Sequence, residues 1–523
     1  MKVDSMKKKI IVYDKEHNKV EKTINYLPVR YTISILLSIF SILTIVFGVV
    51  YLSNKYIIFG YLSYIIQIGV VISIVCMNDN PDYKVPWLLI VILLPIVGYM
   101  CYFLFYRRKL SKKYQKKLKD LDSSLSFDDS KTINLIDNDL IKSQIFALKK
   151  SSNTHVYQNT NATFIPTGEE YFEKIIFDLN SAKEFIFIEY FIIEDGLFWS
   201  KILNILKQKV KENVTVKVIY DDIGCMSKLP GTYFKTLEKD GIECVVFGKL
   251  KGNANSEFNH RSHRKIFVID GKIGYTGGIN LADEYINIGS KFGHWSDSGL
   301  RLEGLAVNEL TRLFLRDFYS QTKKSSDNIQ KYYIDYQTQN SSFIIPFGDG
   351  PKPIYNEQVG KTVIMNILNQ ATKYVYITTP YLIIDNELTN CIINTAKRGV
   401  SVHIIVPHIP DKKIVFSITK STYIYLIEHG VHIYEYLPGF IHSKIYLSDD
   451  IVGMIGSINL DYRSLVHSFE NGVLIYKDKE LLKIKNEFED LLSKSQYMNN
   501  IENLKKPYLT IVRILAKIFS PLL

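Results

Sequence analysis

The sequence predicts an α/β protein built from two similar sandwich-like halves related by pseudo-twofold symmetry, preceded by transmembrane helices. Three observations carry this. Long uncharged stretches are confined to the first 106 of 523 residues. Beyond them, apolar runs rich in Ile, Val, Tyr and Phe alternate with helical patterns, as in a sheet layered with helices. One series of these runs also occurs twice, in the same order.

Taken from the N-terminus, residues 1–30 read as a tail. The segments 31–53, 56–77 and 85–106 carry no charge. Each exceeds twenty residues, enough for a helix to cross a bilayer, so a multi-pass membrane protein is expected. The first segment begins too late and runs too long to be a signal peptide. Residues 107–140 form a basic juxtamembrane segment, with eight Lys or Arg between Arg107 and Lys119. By the positive-inside rule this end faces the cytoplasm. The tail also holds eight basic residues, against four acidic ones. Two basic ends on one side require an even number of crossings, yet three segments are counted. Either one segment is re-entrant or the tail lies outside. The denser cluster places the catalytic region in the cytoplasm.

Residues 141–325 and 340–500 are the two repeats. The first holds strands in 184–193, 214–220, 241–247 and 263–281; the second holds their counterparts in 373–384, 400–406, 430–436 and 442–460. Helical patterns at Leu197–Glu212 and Asn386–Arg398 intervene, and a polar linker runs near Lys323–Ser342. Residues 505–523 read as an amphipathic helix with Thr510, Arg513, Lys517 and Ser520 on one face, suited to a membrane surface or to the protein's own core. The net charge of +11 fits nucleic acid or an anionic membrane equally. The five cysteines lack zinc-like spacing and read as packing residues.

The chemistry sits in the repeats. His263, Lys265 and Asp270 are followed by Gly277, Gly278 and Asn280; His442, Lys444 and Asp449 by Gly456, Ser457 and Asn459. Every spacing matches. On a strand, residues two apart point to one side, so each His shares a face with its Lys. Small residues then let backbone approach a ligand. Two lysines and two asparagine amides supply charge and donors for a phosphate without a metal. Two histidines supply a nucleophile and a general acid. The candidate catalytic residues are therefore His263, Lys265, Asp270, His442, Lys444 and Asp449, with Asn280 and Asn459 binding phosphate and no cofactor required.

These motifs resemble the phospholipase D superfamily, and nearly the whole chain resembles bacterial cardiolipin synthases. The words that carry the resemblance are NHRSHRKIFVIDGK (259–272), GGINLADEY (277–285), FIHSKIYLSDD (440–450), GSINLDYRS (456–464), TTPYLIID (378–385) and the final SPLL. The resemblance implies two phospholipase D-like repeats and a bacterial cell membrane. It implies transfer of a phosphatidyl group from one phosphatidylglycerol to another through a phosphatidyl-histidine, with His263 as nucleophile and His442 as acid and then base. It also implies that Asp297 and Glu470 orient the histidines. The implied partners are phosphatidylglycerol and anionic membrane lipids, not nucleic acid. His260, Ser298 and Ser468 depart from the family's usual Tyr, Thr and Asn. A hydrolase using water, or a transferase with another acceptor, shares the same intermediate. A nuclease would gain nothing from the apolar segments.

Overall fold

The computed structural model describes residues 7–13, 19–25, 54–106, 129–249, 260–322, 329–499 and 517–522, with scattered positions in 36–52 and 116–121. Lys7–Tyr13 and Lys19–Asn25 pair as an antiparallel hairpin in the expected tail. Most of segment 31–53 lies outside the described residues, as do most of the basic run 107–119 and most of 505–523.

Helix α1 (Ile57–Val75) is, among the described residues, the one helix long and apolar enough to cross a membrane. Nineteen residues at about 1.5 Å each span roughly 28 Å. Its apolar side chains, among them Ile57, Tyr61, Ile65 and Ile72, face outward, as expected in lipid.

The expected third span, 85–106, does not run as one straight helix, and the expectation of a third crossing is corrected here. Helix α2 (Pro81–Leu93) stops at Leu94 and α3 (Pro95–Cys101) folds back along it. The Trp87 ring lies 5.9 Å from that of Tyr102 and 5.6 Å from that of Tyr106. In a straight helix these residues would stand over 20 Å apart. A Cβ at Gly98 would meet the Ile90 carbonyl oxygen at 2.3 Å, so only glycine permits the return. The proline that opens α3 ends α2 because it has no N–H to donate to a continuing helix. The segment is a helical hairpin whose tip, Ile92–Leu94, is apolar and exposed.

Two sheets follow. The first contains β1 (Thr160–Ile165), β2 (Phe185–Tyr190), β3 (Thr215–Asp221), β4 (Glu243–Phe247), β5 (Lys265–Ile269), β6 (Ile273–Gly277) and β8 (Gly299–Gly304), in the order β1-β8-β6-β5-β2-β3-β4. Between β6 and β8 lies β7 (His294–Ser296), which leaves this sheet. The second contains β9 (Phe343–Asp349), β10 (Tyr374–Thr378), β11 (Ser401–Pro407), β12 (His432–Tyr436), β14 (Ile445–Ser448), β15 (Val452–Gly456), β16 (Glu470–Tyr476) and β17 (Ser495–Tyr497), in the order β9-β16-β15-β14-β10-β11-β12-β17. The short β13 (Gly439–Ile441) precedes β14. The two orders coincide, with β17 as an added edge. In both, three neighbouring strands are parallel and the rest antiparallel.

Alternation along β2 explains the layering. Ile186, Ile188 and Tyr190 pack with Tyr171 and Ile175 of α4 (Gly168–Asn180) and Phe198, Trp199 and Ile202 of α5 (Leu197–Lys211). Phe185 and Phe187 join the core that also holds Leu310, Phe314 and Phe318 of α6 (Val307–Gln321). That core continues into the second half through Ile344, Val375, Ile445 and Leu474 and through Val363 and Ile367 of α7 (Val359–Gln370). On the far side of the second sheet, Phe488 of α9 (Glu480–Ser493) stacks on Tyr376, their rings 4.3 Å apart. Helix α8 (Lys413–Ile427) lies between the last two in sequence. The helix Asp139–Ser152, which the sequence assigns to the first repeat, packs on the second instead: Ser152 Oγ donates to the Gly348 carbonyl at 2.6 Å, and Gln144 reaches that of Val363.

One buried cation ties the halves. Arg264, fully enclosed at the start of β5, donates through Nε to the Glu470 carbonyl at 3.0 Å and through Nη1 to Asp317 at 2.6 Å, and through Nη2 it reaches the Tyr355 hydroxyl at 3.1 Å. Removing one partner of such a pair strands the other in low dielectric, at a cost of about 3–5 kcal/mol. Arg264→Met is therefore expected to lower the thermal unfolding midpoint of the detergent-solubilised protein, whereas an unchanged midpoint would show that the halves dock without this residue.

Candidate active site

The two His-x-Lys motifs stand at corresponding points, just before β5 and β14. Each histidine is held by the half to which it does not belong. His263 Nδ1 lies 2.9 Å from Glu470 Oε2 at the start of β16, and His442 Nδ1 lies 2.6 Å from Asp297 Oδ2, next to β7. The backbone repeats this exchange. The His263 amide donates to the Phe469 carbonyl at 2.8 Å and the His442 amide to that of Ser296 at 2.7 Å. Strand β7 pairs in parallel with β13, and Ser262 bridges Phe469 in the same sense.

These pairs fix the tautomers. A carboxylate beside Nδ1 takes that nitrogen's proton in a hydrogen bond and leaves the Nε2 lone pair free. Burial, reinforced by the charges of Lys265 and Lys444, holds the His263 imidazole well below its ordinary value. Burial and Lys444 push His442 down to about 3. Both rings are neutral at pH 7.

The lysines complete the pocket. Lys265 Nζ donates to the His263 carbonyl at 2.6 Å, and Lys444 Nζ to that of His442. Burial lowers Lys265 to about 7 and Lys444 to about 8. Each lysine's charge reaches the other half's histidine as well as its own. A phosphodiester placed here would restore the counter-charge that burial has removed and so favour both ammonium ions.

The carboxylates are unequal. Burial would raise Asp297, but its contact with His442 and the charge of Lys444 hold it below its ordinary value. Burial pushes Glu470 up to about 7 despite Lys265 and despite two donated hydroxyls, Ser457 Oγ and, at 2.7 Å, Ser464 Oγ. The difference begins at equivalent positions. A Cβ at Gly278 would meet Asp297 Oδ1 at 2.1 Å, so the first half needs glycine where the second carries Ser457.

The asparagines differ too. Asn280 Oδ1 accepts from the Ile192 amide at 3.1 Å, and its Nδ2 donates to the Tyr285 hydroxyl at 2.6 Å. The buried Asn459 Oδ1 has no hydrogen-bond partner among the described residues; as an acceptor it suits a ligand hydroxyl, while a phosphate oxygen would have to take its hydrogen bond from Nδ2.

Asp270 and Asp449 leave the candidate set. Both sit in the left-handed region at the far ends of their strands, with φ of 51° and 55°. Asp270 accepts the amides of Lys183, Glu184 and Phe185 at 2.8–2.9 Å, and Asp449 those of Thr372, Lys373 and Tyr374 at 2.7–3.0 Å. They cap the neighbouring strand, five residues along from the lysines, and do not face the histidines. The sequence reading also missed Tyr285 and Ser464. The Tyr285 ring lies 5.4 Å from that of His442, and Ser464 bonds Glu470. Both stand five residues after their Asn, an offset visible in the repeat. Among the described residues, no group of His, Cys, Asp and Glu could hold a metal ion.

Activity that needs ionised Glu470 and protonated lysines rises as Glu470 ionises near pH 7 and falls as Lys265 and Lys444 deprotonate at about 7 and 8. The kcat/KM profile is expected to be a narrow bell in that range. Ser464→Ala removes a donor to the Glu470 carboxylate, which raises its pKa and moves the acidic limb to higher pH, and Ser464→Thr restores it. An acidic limb unmoved in Ser464→Ala would exclude Glu470 as its source.

Comparison with known proteins finds the same two-part organisation. The family model for the cardiolipin synthase phospholipase D-like domain matches residues 175–289 and 364–492, one match in each half. The phospholipase D-nuclease N-terminal model matches 65–107, the region of α1 and the hairpin. A cardiolipin synthase from Halalkalibacterium halodurans is 32% identical over 472 residues, 88% of this chain and 92% of that one. Cardiolipin synthase 1 of Staphylococcus aureus strain COL is 32% identical over 84% of this chain and 91% of its own. A phosphatidylserine synthase from Haemophilus influenzae shares the fold, with a TM-score of 0.55 at 16% identity over 74% of this chain and 98% of that one. With matched motifs in both halves and relatives aligned over most of its length, the chain belongs to the phospholipase D-like family of cardiolipin synthases.

Proposed function

We propose that the protein is a membrane-bound cardiolipin synthase, joining two phosphatidylglycerol molecules into cardiolipin and glycerol. The observation that carries the reading is the crossed pair of neutral imidazoles, each aligned by a carboxylate, beside two buried ammonium groups.

In the proposed course, Lys265, Lys444 and the Asn459 amide hold the phosphodiester oxygens of one phosphatidylglycerol. The His263 Nε2 lone pair attacks phosphorus while Glu470 stabilises the positive charge that forms on the ring. The bond from phosphorus to the glycerol oxygen breaks. His442, protonated once the anionic substrate offsets the lysine charges, gives its Nε2 proton to that oxygen, and glycerol leaves. The terminal hydroxyl of a second phosphatidylglycerol then enters. Neutral His442 takes its proton, the oxygen attacks phosphorus, and the P–N bond breaks to release cardiolipin and neutral His263. His442 ends protonated and returns to solvent the proton it took up on substrate binding, which restores the neutral ring of the free enzyme.

For localisation, we infer that the catalytic halves face the cytoplasm. A hairpin that returns to the side it left puts Tyr106 beside Asp79, close to Met77, which removes the odd crossing in the count of spans.

The test is to supply the purified full chain in detergent with phosphatidylglycerol and no added metal. Cardiolipin and glycerol in equal amounts are expected, and His263→Ala and His442→Ala should each lose about 10³-fold or more. Phosphatidic acid without cardiolipin would make water the acceptor and overturn the synthase reading.

A further inference from the structure

Next to the membrane hairpin, the second half carries a small amphiphilic lip formed by the loop before α8 and its first turn. Ile414 is 63% exposed and Ile409 is 37% exposed, while Lys412 and Lys413 are both exposed between them. Two exposed isoleucines are ordinary in themselves, so their position decides what they mean.

Ile418, one turn after Ile414 on the same helical face, is buried with Tyr83 of α2 and with Ile383 and Tyr462, and Val415 packs on that cluster. The face that Ile414 presents to the exterior is thus continuous with the base of the hairpin. Trp87, Tyr102 and Tyr106 pack together inside the hairpin and hold its two arms against each other. The hairpin is fixed to this half by Asn80, whose Nδ2 donates to Asp385 at 2.7 Å, and by Asp82, which accepts the Asn386 amide at 2.9 Å.

The lip also leads to the active site. Lys412 Nζ lies 5.6 Å from the Tyr381 ring, and the Tyr381 hydroxyl donates to Asp411 at 2.6 Å. The Tyr381 ring is 6.4 Å from Phe440, which is 6.0 Å from His442. Two ring contacts therefore separate the lip from the second histidine.

We infer that this lip rests in the surface of an anionic bilayer. Ile409 and Ile414 enter the boundary between headgroups and acyl chains, and Lys412 and Lys413 hold lipid phosphates, at a point two ring contacts from His442. The occupant is a bilayer because the apolar face continues that of a membrane-inserted hairpin and the charges flanking it are basic. The inference rests on the lipid-transferase reading only where turnover is measured.

The experiment places the full chain in nanodiscs of phosphatidylglycerol and phosphatidylcholine with brominated acyl chains. Ile414→Trp should add emission that the bromines quench, beyond that of the three native tryptophans. Tyr425→Trp, exposed at the other end of α8, should add emission that they do not. Equal quenching of both, or none at Ile414→Trp, would overturn the proposal. In a second arm, Lys412→Glu with Lys413→Glu should raise KM for vesicle phosphatidylglycerol about tenfold more than for a monomeric short-chain analogue. An equal rise for both substrates would make the lysines part of the headgroup site and not of a membrane contact. If the unaltered chain turns over neither substrate, the enzymatic reading fails, while the quenching arm still reports on the lip.

Discussion

The structure depends on an exchange: each half lends a carboxylate to the other half's histidine. An isolated half would leave a buried imidazole without its orienting partner and a buried carboxylate without its imidazole, and either loss is costly in a dry pocket. The active site therefore exists only when the halves are docked in one register. The surrounding structure enforces that register through the β7–β13 pairing, the Ser262–Phe469 bridge and the core shared across both sheets. Arg264 works in the same direction, since its guanidinium reaches the backbone of Glu470 itself.

Within this near-symmetry, small substitutions at equivalent positions divide the labour. Gly278 lets Asp297 approach through backbone space, whereas Ser457 reaches Glu470 with a hydroxyl. Tyr285 lays a ring beside His442, whereas Ser464 adds a second hydroxyl to Glu470. Trp295 and Phe440 also stand around His442, at 5.4 Å and 6.0 Å, while His263 has Phe191 at 5.1 Å. One carboxyl is held low and the other stands near neutrality. A paired site that must both attack and protonate needs such a difference, because two identical imidazoles would compete for one role.

Much of this was legible in the sequence because period and repetition are local signals. The helix expected at Leu197–Glu212 is Leu197–Lys211, and the run 214–220 is β3 within one residue. The His-Lys pairs stood out because the whole motif repeats with the same spacing, although both histidines and Lys444 stand just before their strands and not on them. Asp270 and Asp449 misled for the same reason. Their spacing repeats as faithfully as that of the histidines, yet what repeats there is a turn, in which a left-handed Asp caps three amides. Composition could not separate a span from a hairpin in 85–106, since both bury apolar side chains in lipid. The decisive residues are Pro95, which opens the returning helix, and Gly98, whose missing Cβ allows close contact. The packing of helix Asp139–Ser152 on the opposite repeat is a long-range choice with no local signal.

The crossed bracing can be observed directly in the protein labelled with ¹⁵N-histidine, through the proton on each Nδ1. At neutral pH the account predicts two low-field Nδ1–H resonances, with Glu470→Ala removing only that of His263 and Asp297→Ala only that of His442. Loss of the His442 signal in Glu470→Ala, or survival of both signals in both variants, would contradict the exchange on which the site is built.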